Sequence, residues 1–191
     1  MHRRREHEIF DKAMWVMRDT IKSIKSTVEI ASLASVIAIC SFLVFPIGPV
    51  PVTLQTMAIA LAGMCLGSSR SICAVLLYIM AGICGAPVFA GGKAGLGVLI
   101  GPTGGYLVGF IIMSGLCGLV NPSQPVWKTA AWLLLGLACL HFCGIAGQCL
   151  ALRITLYQAL LVDAVFLPGD LLKTLAAFLF WRMTRARNIH D

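Results

Sequence analysis

Asp170 and Lys173 are the residues whose chemistry the rest of this chain has to explain. They stand three apart in Phe166-Leu167-Pro168-Gly169-Asp170-Leu171-Leu172-Lys173, inside an otherwise apolar stretch. On a helix that spacing puts both side chains on one face. An ionisable pair within a membrane-grade apolar segment is costly and points to a ligand or ion path. Pro168-Gly169 reads as a helix start, where the helix dipole favours a carboxylate. Capping thus accounts for Asp170 but leaves Lys173, a cation at the wrong end of the dipole. The pattern predicts a buried ligand-binding pair. Asp163, one or two turns earlier, reads as an interfacial residue in preference to a second buried acid.

Two other segments concentrate polar and turn-forming residues. One is Pro46-Ile47-Gly48-Pro49-Val50-Pro51-Val52-Thr53-Leu54-Gln55-Thr56. The other runs from Ala86 to Gly97 and continues through Gly101-Pro102-Thr103-Gly104-Gly105-Tyr106. Thr53, Gln55, Thr103 and Tyr106 offer neutral hydrogen-bonding groups, and Phe89 offers an aromatic wall. Gly91, Gly92 and Gly95 lie outside any span, so close helix packing does not explain them. Together these residues suit a small, rather apolar solute with a few polar atoms. Gly92-Lys93-Ala94 is not a phosphate loop, because the pattern GxxxxGK[ST] meets Pro87 where Gly is needed and Ala94 where Ser or Thr is needed.

These residues have to be positioned by membrane spans. Of the 191 residues, 59% are hydrophobic and only 12% are charged. Soluble domains carry about 25% charged residues. With a mean hydropathy of +0.89, the composition excludes a soluble enzyme, a disordered tail and a coiled coil. Residues 30–69 hold no charge, and Pro46, Gly48, Pro49 and Pro51 break them into two short spans. Residues 71–92 give a third span ending near Pro87. A Gly-rich loop follows to about 102, then a fourth span to about 120. Residues 129–152 give a fifth. The sixth is discontinuous, with Ile154–Leu167, then Pro168-Gly169-Asp170, then a helix to about Arg185. The expected fold is an all-α membrane protein, a six-transmembrane-helix bundle over residues 30–185. A basic arm at 1–29 precedes it and a tail at 186–191 follows. Gly63 and Gly67 are spaced as GxxxG, as are Gly105 and Gly109, and close helix packing is expected at Gly63, Gly67 and Gly109.

The net charge of +7 is unevenly spread. Six spans put both termini on one side, and the positive-inside rule makes that side cytoplasmic. Twelve basic residues then fall inside and two, Lys93 and Arg153, outside. The three polar segments gather on the outer face. Basic ends on so apolar a chain are topology signals, not a nucleic-acid surface. Ile9, Met14, Trp15, Ile21 and Ile24 interleave with charges in the arm, which suggests an amphipathic helix on the membrane surface. The first 29 residues are too polar for a signal peptide. All eight Cys sit in apolar runs without a CxxC, and read as buried packing residues. On a helix His141 points away from Cys139 and Cys143, so no metal site is expected there.

Four motifs in order carry a resemblance. They are Val50-Pro51-Val52-Thr53-Leu54-Gln55-Thr56, Pro87-Val88-Phe89-Ala90-Gly91, Gly101-Pro102-Thr103-Gly104-Gly105-Tyr106-Leu107 and Phe166-Leu167-Pro168-Gly169-Asp170-Leu171-Leu172-Lys173. Over about residues 30–185 the chain resembles the BioY family, biotin-specific substrate-binding S components of energy-coupling factor (ECF) transporters. The resemblance implies a six-helix membrane bundle that captures biotin at the outer face. A transmembrane coupling protein and cytosolic ATPase subunits drive uptake in many members. It implies that Asp170 accepts from the ureido N–H groups, as an ionised carboxylate only accepts. Lys173 then orients Asp170 or neutralises the pocket. Gln55, Phe89, Gly91, Gly92 and Tyr106 match loop positions near the ligand, with Thr53 beside them. Either Lys93 or Lys173 serves the biotin carboxylate. Ala34 and Ala38 match an AxxxA contact with the coupling protein, extended by Ala31 and Ser35, against the competing reading of internal packing. Val165 departs from the family pattern, which has proline there in many members.

No cofactor is implied. The competing reading is a membrane enzyme with Asp163, Asp170 and His141 as acid–base groups. His141 lies mid-span and the acids toward the outer face, so the sequence predicts no convergence and no nucleophile–base pair. A structural or assembly protein of the membrane is the third reading.

Overall fold

The computed structural model describes residues 2–45 and 52–187, so the turn expected at Pro46, Gly48, Pro49 and Pro51 lies outside the described residues. α1 runs without a break over His2–Phe42, a stretch with no Gly or Pro to stop it. The arm and first span are therefore one helix, and nothing in the backbone marks residue 29. Val44–Phe45 (β1) and Val52–Thr53 (β2) pair antiparallel, Val44 with Thr53 and Phe45 with Val52. Next come α2 (Gln55–Leu66), α3 (Ser68–Ile83), the short α4 (Gly97–Ile100), α5 (Gly104–Cys117), α6 (Val126–Leu152), α7 (Leu156–Ala164) and α8 (Leu167–Arg187).

Six crossings result, with α7 and α8 sharing the last. Met14–Phe42 and Val126–Leu152 are each long and apolar enough to cross a bilayer. α7 and α8, bent by 48°, make a third, broken span. α2, α3 and α5, of 12, 16 and 14 residues, are shorter than the ~20 residues a full crossing needs. Residues 84–103, between α3 and α5, are mostly turns, with the one-turn α4 among them. Such backbone is tolerated at membrane depth where it lines a cavity. The exterior is apolar: Ile100, Phe142, Leu150 and Leu172 are all more than two-thirds exposed. A surface of this kind faces lipid.

Glycine contacts set the bundle's tightest approach. A Cβ on Gly105 would lie 2.2 Å from the Cys143 carbonyl oxygen and 2.8 Å from Gly147 Cα. One on Gly109 would lie 2.9 Å from Leu140 Cα. α5 and α6 thus touch backbone to backbone. Gly63 meets Cys117 in the same way between α2 and α5. Gly67 is different from the expected packing glycine. Its φ of 78° makes it the turn between α2 and α3. At that same end Arg70 pairs with Glu29, joining α3 to α1, while Trp181 Nε1 donates to the Met64 carbonyl across α8 and α2, 2.9 Å.

Two expectations concern small residues, and that of buried cysteines needs correction. Ala34 is buried and Ala38 half-buried within this chain's own bundle, whereas Ala31 and Ser35 are exposed on the other side of α1. The helix phase turns Ala34 and Ala38 toward the bundle interior. Of the eight Cys, Cys117 alone is buried, and Cys65, Cys73 and Cys84 are exposed. Apolar flanks do not reveal which side of a span a residue faces, because the lipid side is apolar too.

The close α5–α6 contact yields a prediction. Gly105→Leu forces backbone apart and is expected to destabilise the protein by about 3 kcal/mol. Gly97→Ala enters open space and is expected to stay within about 0.5 kcal/mol of wild type. Thermal unfolding of both variants in detergent checks this; equal midpoints would contradict the packing account.

Candidate functional site

Asp170 lies in the first turn of α8 and is buried. Its N–H bonds to the Phe166 carbonyl, 2.9 Å. Lys173, one turn on, reaches back and donates to Asp170 Oδ1 at 2.7 Å. Its Nζ also donates to the Thr53 carbonyl, 2.7 Å. The i, i+3 pair is therefore clamped to β2, and one ammonium satisfies groups from two parts of the chain. Isolated burial of either charge would cost several kcal/mol; paired and hydrogen-bonded, both are tolerated.

β2 leads into α2 through a second polar cluster. Thr53 Oγ1 donates to Gln55 Oε1, 3.0 Å, and Gln55 Nε2 donates to the Tyr78 hydroxyl, 2.7 Å. Tyr78 packs edge-on against Phe89, with ring centroids 5.7 Å apart. Phe89 occupies the space over Gly82, where a Cβ would fall 2.2 Å from its ring. The Phe89 carbonyl accepts from Gly92 N–H at 2.9 Å, and Phe89 N–H donates to the Lys93 carbonyl at 3.0 Å. Gly91 and Gly92 sit between them at φ 74° and 73°, a left-handed pair that other residues adopt only with strain.

These elements enclose one cavity. Its polar lining includes Thr53, Gln55, Tyr78, Tyr106, Asp170 and Lys173. Phe89, Leu107, Phe110, Leu140 and Phe166 form apolar walls, and the exposed Lys93 stands at the rim. The free volume is about 60 Å³. The predicted site residues Asp170, Lys173, Thr53, Gln55, Phe89, Tyr106 and Lys93 thus meet at one place. Gly91 and Gly92 do not line it. Their part is the turn that delivers Phe89 and Lys93.

The expectation for Asp163 and His141 is overturned. Asp163 is buried, not interfacial. Its Oδ1 accepts from the Tyr106 hydroxyl at 2.5 Å, and His141 Nδ1 is 2.9 Å from Oδ2. Gln148 Nε2 donates to the Tyr106 hydroxyl, 2.8 Å. His141 Nε2 lies 3.7 Å from Asp170 Oδ2. The acids and the histidine do converge, because the α7–α8 bend turns both carboxylates toward α6. Convergence does not make an acid–base catalyst: one ring nitrogen is held by a carboxylate and the other faces a carboxylate, with no nucleophile between. Tyr78 and Gln148 are site-forming residues the sequence reading did not name; Asp163 and His141 it named only for the enzyme reading, and without convergence. The available signal was a buried amide, imidazole or acid within a span, with His141 and Gln148 seven apart on one face of α6. Among the described residues no group of three metal-ligating side chains assembles.

A polar-lined cavity at one end of a six-crossing helical bundle defines the class: a membrane protein that binds a small solute within its own span. Residues 12–189 match the BioY family, and the chain belongs to that family. It is 31% identical over 171 residues to the probable biotin transporter BioY of Bacillus subtilis, covering 85% of this chain and 92% of that one. It is 37% identical over 147 residues to the biotin transporter BioY of Rhodobacter capsulatus, 70% of this chain and 77% of the relative. With biotin transporter BioY2 of Lactococcus lactis subsp. cremoris the identity is 49% over 87 residues, about half of each chain at 46% and 48%. The crystal structure of the S-component for biotin from an ECF-type ABC transporter superposes with a TM-score of 0.80 at 30% identity, over 86% of this chain and 93% of that one. The relatives are transporters, and nothing supports the enzyme reading.

The ion pair makes a prediction of its own. Lys173→Met leaves Asp170 buried without its cation and is expected to destabilise the protein by about 3–5 kcal/mol. The double variant Lys173→Met/Asp170→Leu is expected to recover most of that loss. Unfolding midpoints in detergent decide it; a double variant as unstable as the single would refute the pairing.

Proposed function

We propose that this chain is the biotin-capturing S component of an ECF transporter and that the cavity headed by Asp170 is its biotin site. The observation that carries the reading is the buried Asp170–Lys173 pair facing a cavity with apolar walls and a few placed polar groups. Biotin's cyclic urea presents two N–H donors and one carbonyl. Lys173 occupies one lone pair of Asp170, and the carboxylate keeps others for N–H donors. Tyr78 accepts from Gln55, so its own O–H proton is left for the urea carbonyl. The aromatic and aliphatic walls suit the thioether ring and the valeryl chain. Lys173 is already committed to Asp170 and Thr53, which leaves the rim residue Lys93 for biotin's carboxylate.

Capture at this site involves movement. A volume of about 60 Å³ is well short of the 300–1,000 Å³ of pockets that enclose drug-sized ligands. The turn-rich wall of residues 84–103 carries Phe89 and Lys93 and is the part not tied into a long helix. Its displacement admits the ligand, and closure desolvates the Asp170 contact. The basic-residue asymmetry supports termini in the cytoplasm and a cavity at the outer face. The chain carries no nucleotide-binding motif, so a coupling protein and ATPase subunits supply the work. At the Ala31–Ala38 stretch such a partner would meet the exposed Ala31 and Ser35. The lipid bilayer covers the apolar exterior.

Asp170→Asn is expected to weaken biotin binding by about 1.5–3 kcal/mol, roughly 10- to 150-fold, through loss of a charge-assisted acceptor. Equilibrium binding of labelled biotin in detergent, with thiamine and riboflavin as competitors, measures it; unchanged affinity in the folded variant removes Asp170 from the site. Lys93→Ala is expected to lower affinity by only about two- to fivefold, an effect that fades at high salt because the residue is exposed. A salt-independent loss larger than that of Asp170→Asn would reverse the two assignments.

A further inference from the structure

His141 and its partner Asp163 are buried titratable side chains that biotin capture, as described above, leaves unused. His141 lies on α6, and its ring stands between the two acids of the broken span. Nδ1 is within hydrogen-bonding distance of both Asp163 oxygens, 3.0 Å and 2.9 Å. Asp163 is held in turn by Tyr106, and Tyr106 by Gln148. The ring is therefore fixed by groups from α5, α6 and α7. The opposite nitrogen, Nε2, is buried and has no hydrogen-bond partner among the described residues. It lies 3.7 Å from Oδ2 of Asp170, the oxygen that Lys173 does not hold. The charged groups facing the ring are Asp163 from α7 and Asp170 from α8; Tyr106 from α5 binds the first and Lys173 from α8 the second.

A core histidine with a purely structural role is normally satisfied at both nitrogens or turns its free edge to water. Here the free edge is enclosed and aimed at the carboxylate that heads the cavity. Lys173 pins one oxygen of Asp170, but the terminal carboxylate torsion is soft, and a second boundary is needed to fix the other oxygen. We propose that His141 is a positioning residue: anchored by Asp163 and Tyr106, its Nε2 edge sets the orientation in which Asp170 meets the ligand's N–H groups. The inference rests on the reading that Asp170 accepts from the ligand. It assigns the Gln148–Tyr106–Asp163–His141 chain a part in recognition that reaches the acid through the Nε2 edge of His141.

Amide replacements separate the two ring nitrogens. An Asn amide reaches the place of Nδ1 and retains the bond to Asp163; a Gln amide reaches the place of Nε2. His141→Asn is expected to keep the fold and weaken biotin binding about tenfold, while His141→Gln stays within about threefold of wild type. With ¹⁵N-histidine labelling, the Nε2 resonance of His141, identified by its loss in His141→Gln, is expected to shift when biotin saturates the protein. Wild-type affinity in His141→Asn, or an unmoved Nε2 resonance, overturns the proposal. If His141→Asn fails to fold, the resonance in wild-type protein decides alone. Binding unaffected by Asp170→Asn defeats the underlying site reading; binding lost in Asp170→Asn but intact in His141→Asn defeats only this inference.

Discussion

The buried pair of Asp170 and Lys173 is the constraint around which this bundle is organised. A carboxylate and an ammonium inside an apolar fold are tolerated only when their remaining hydrogen-bonding capacity is met. Lys173 meets it by binding the Thr53 carbonyl, which brings β2 and the start of α2 against α8. Asp170 requires a helix start at membrane depth, and the α7–α8 break provides one. The same break turns Asp163 inward, which obliges Tyr106 and His141 to face it. One ion pair thereby determines the meeting of five helices at one end of the molecule.

Close backbone contact supplies the complementary constraint. Lipid offers no hydrophobic drive for helices to associate, so membrane bundles rely on tight packing. Gly105, Gly109 and Gly147 let α5 and α6 touch, and this contact sets where Tyr106 and His141 stand relative to each other. Shortness matters as much as contact. Because α3 stops at Ile83 and α5 starts at Gly104, the space a longer helix would fill is left to turns, and the cavity forms there. The left-handed Gly91-Gly92 turn then reverses the chain so that Phe89 closes the wall over Gly82.

What the sequence made legible follows the range of each signal. Asp170 and Lys173 were readable because a three-residue spacing is local and charges are rare in apolar runs. The broken sixth span was readable from Pro168-Gly169. The six crossings were readable from charge-free stretches, although α2, α3 and α5 fall short of a full span. The convergence of His141 with Asp163 was not readable, since it depends on a bend of 48° that no local pattern encodes. Nor was the inward phase of Ala34 and Ala38, because lipid and protein interior select the same small apolar residues. Gly91 and Gly92 were recognised as unusual, but their role is conformational; a motif match alone does not separate a residue that touches a ligand from one that places its neighbour.

The central claim is that a ligand is held by its cyclic urea at the buried acid and not mainly by its carboxylate at the rim. The direct measurement is equilibrium binding to wild-type protein of three compounds: biotin, biotin methylated at a ureido nitrogen, and biotin amide. The account predicts that N-methylation abolishes most of the affinity, while amidation lowers it only severalfold. Retained binding of the N-methyl compound together with loss of the amide would contradict it, and would move recognition from Asp170 to the lysine at the cavity's edge.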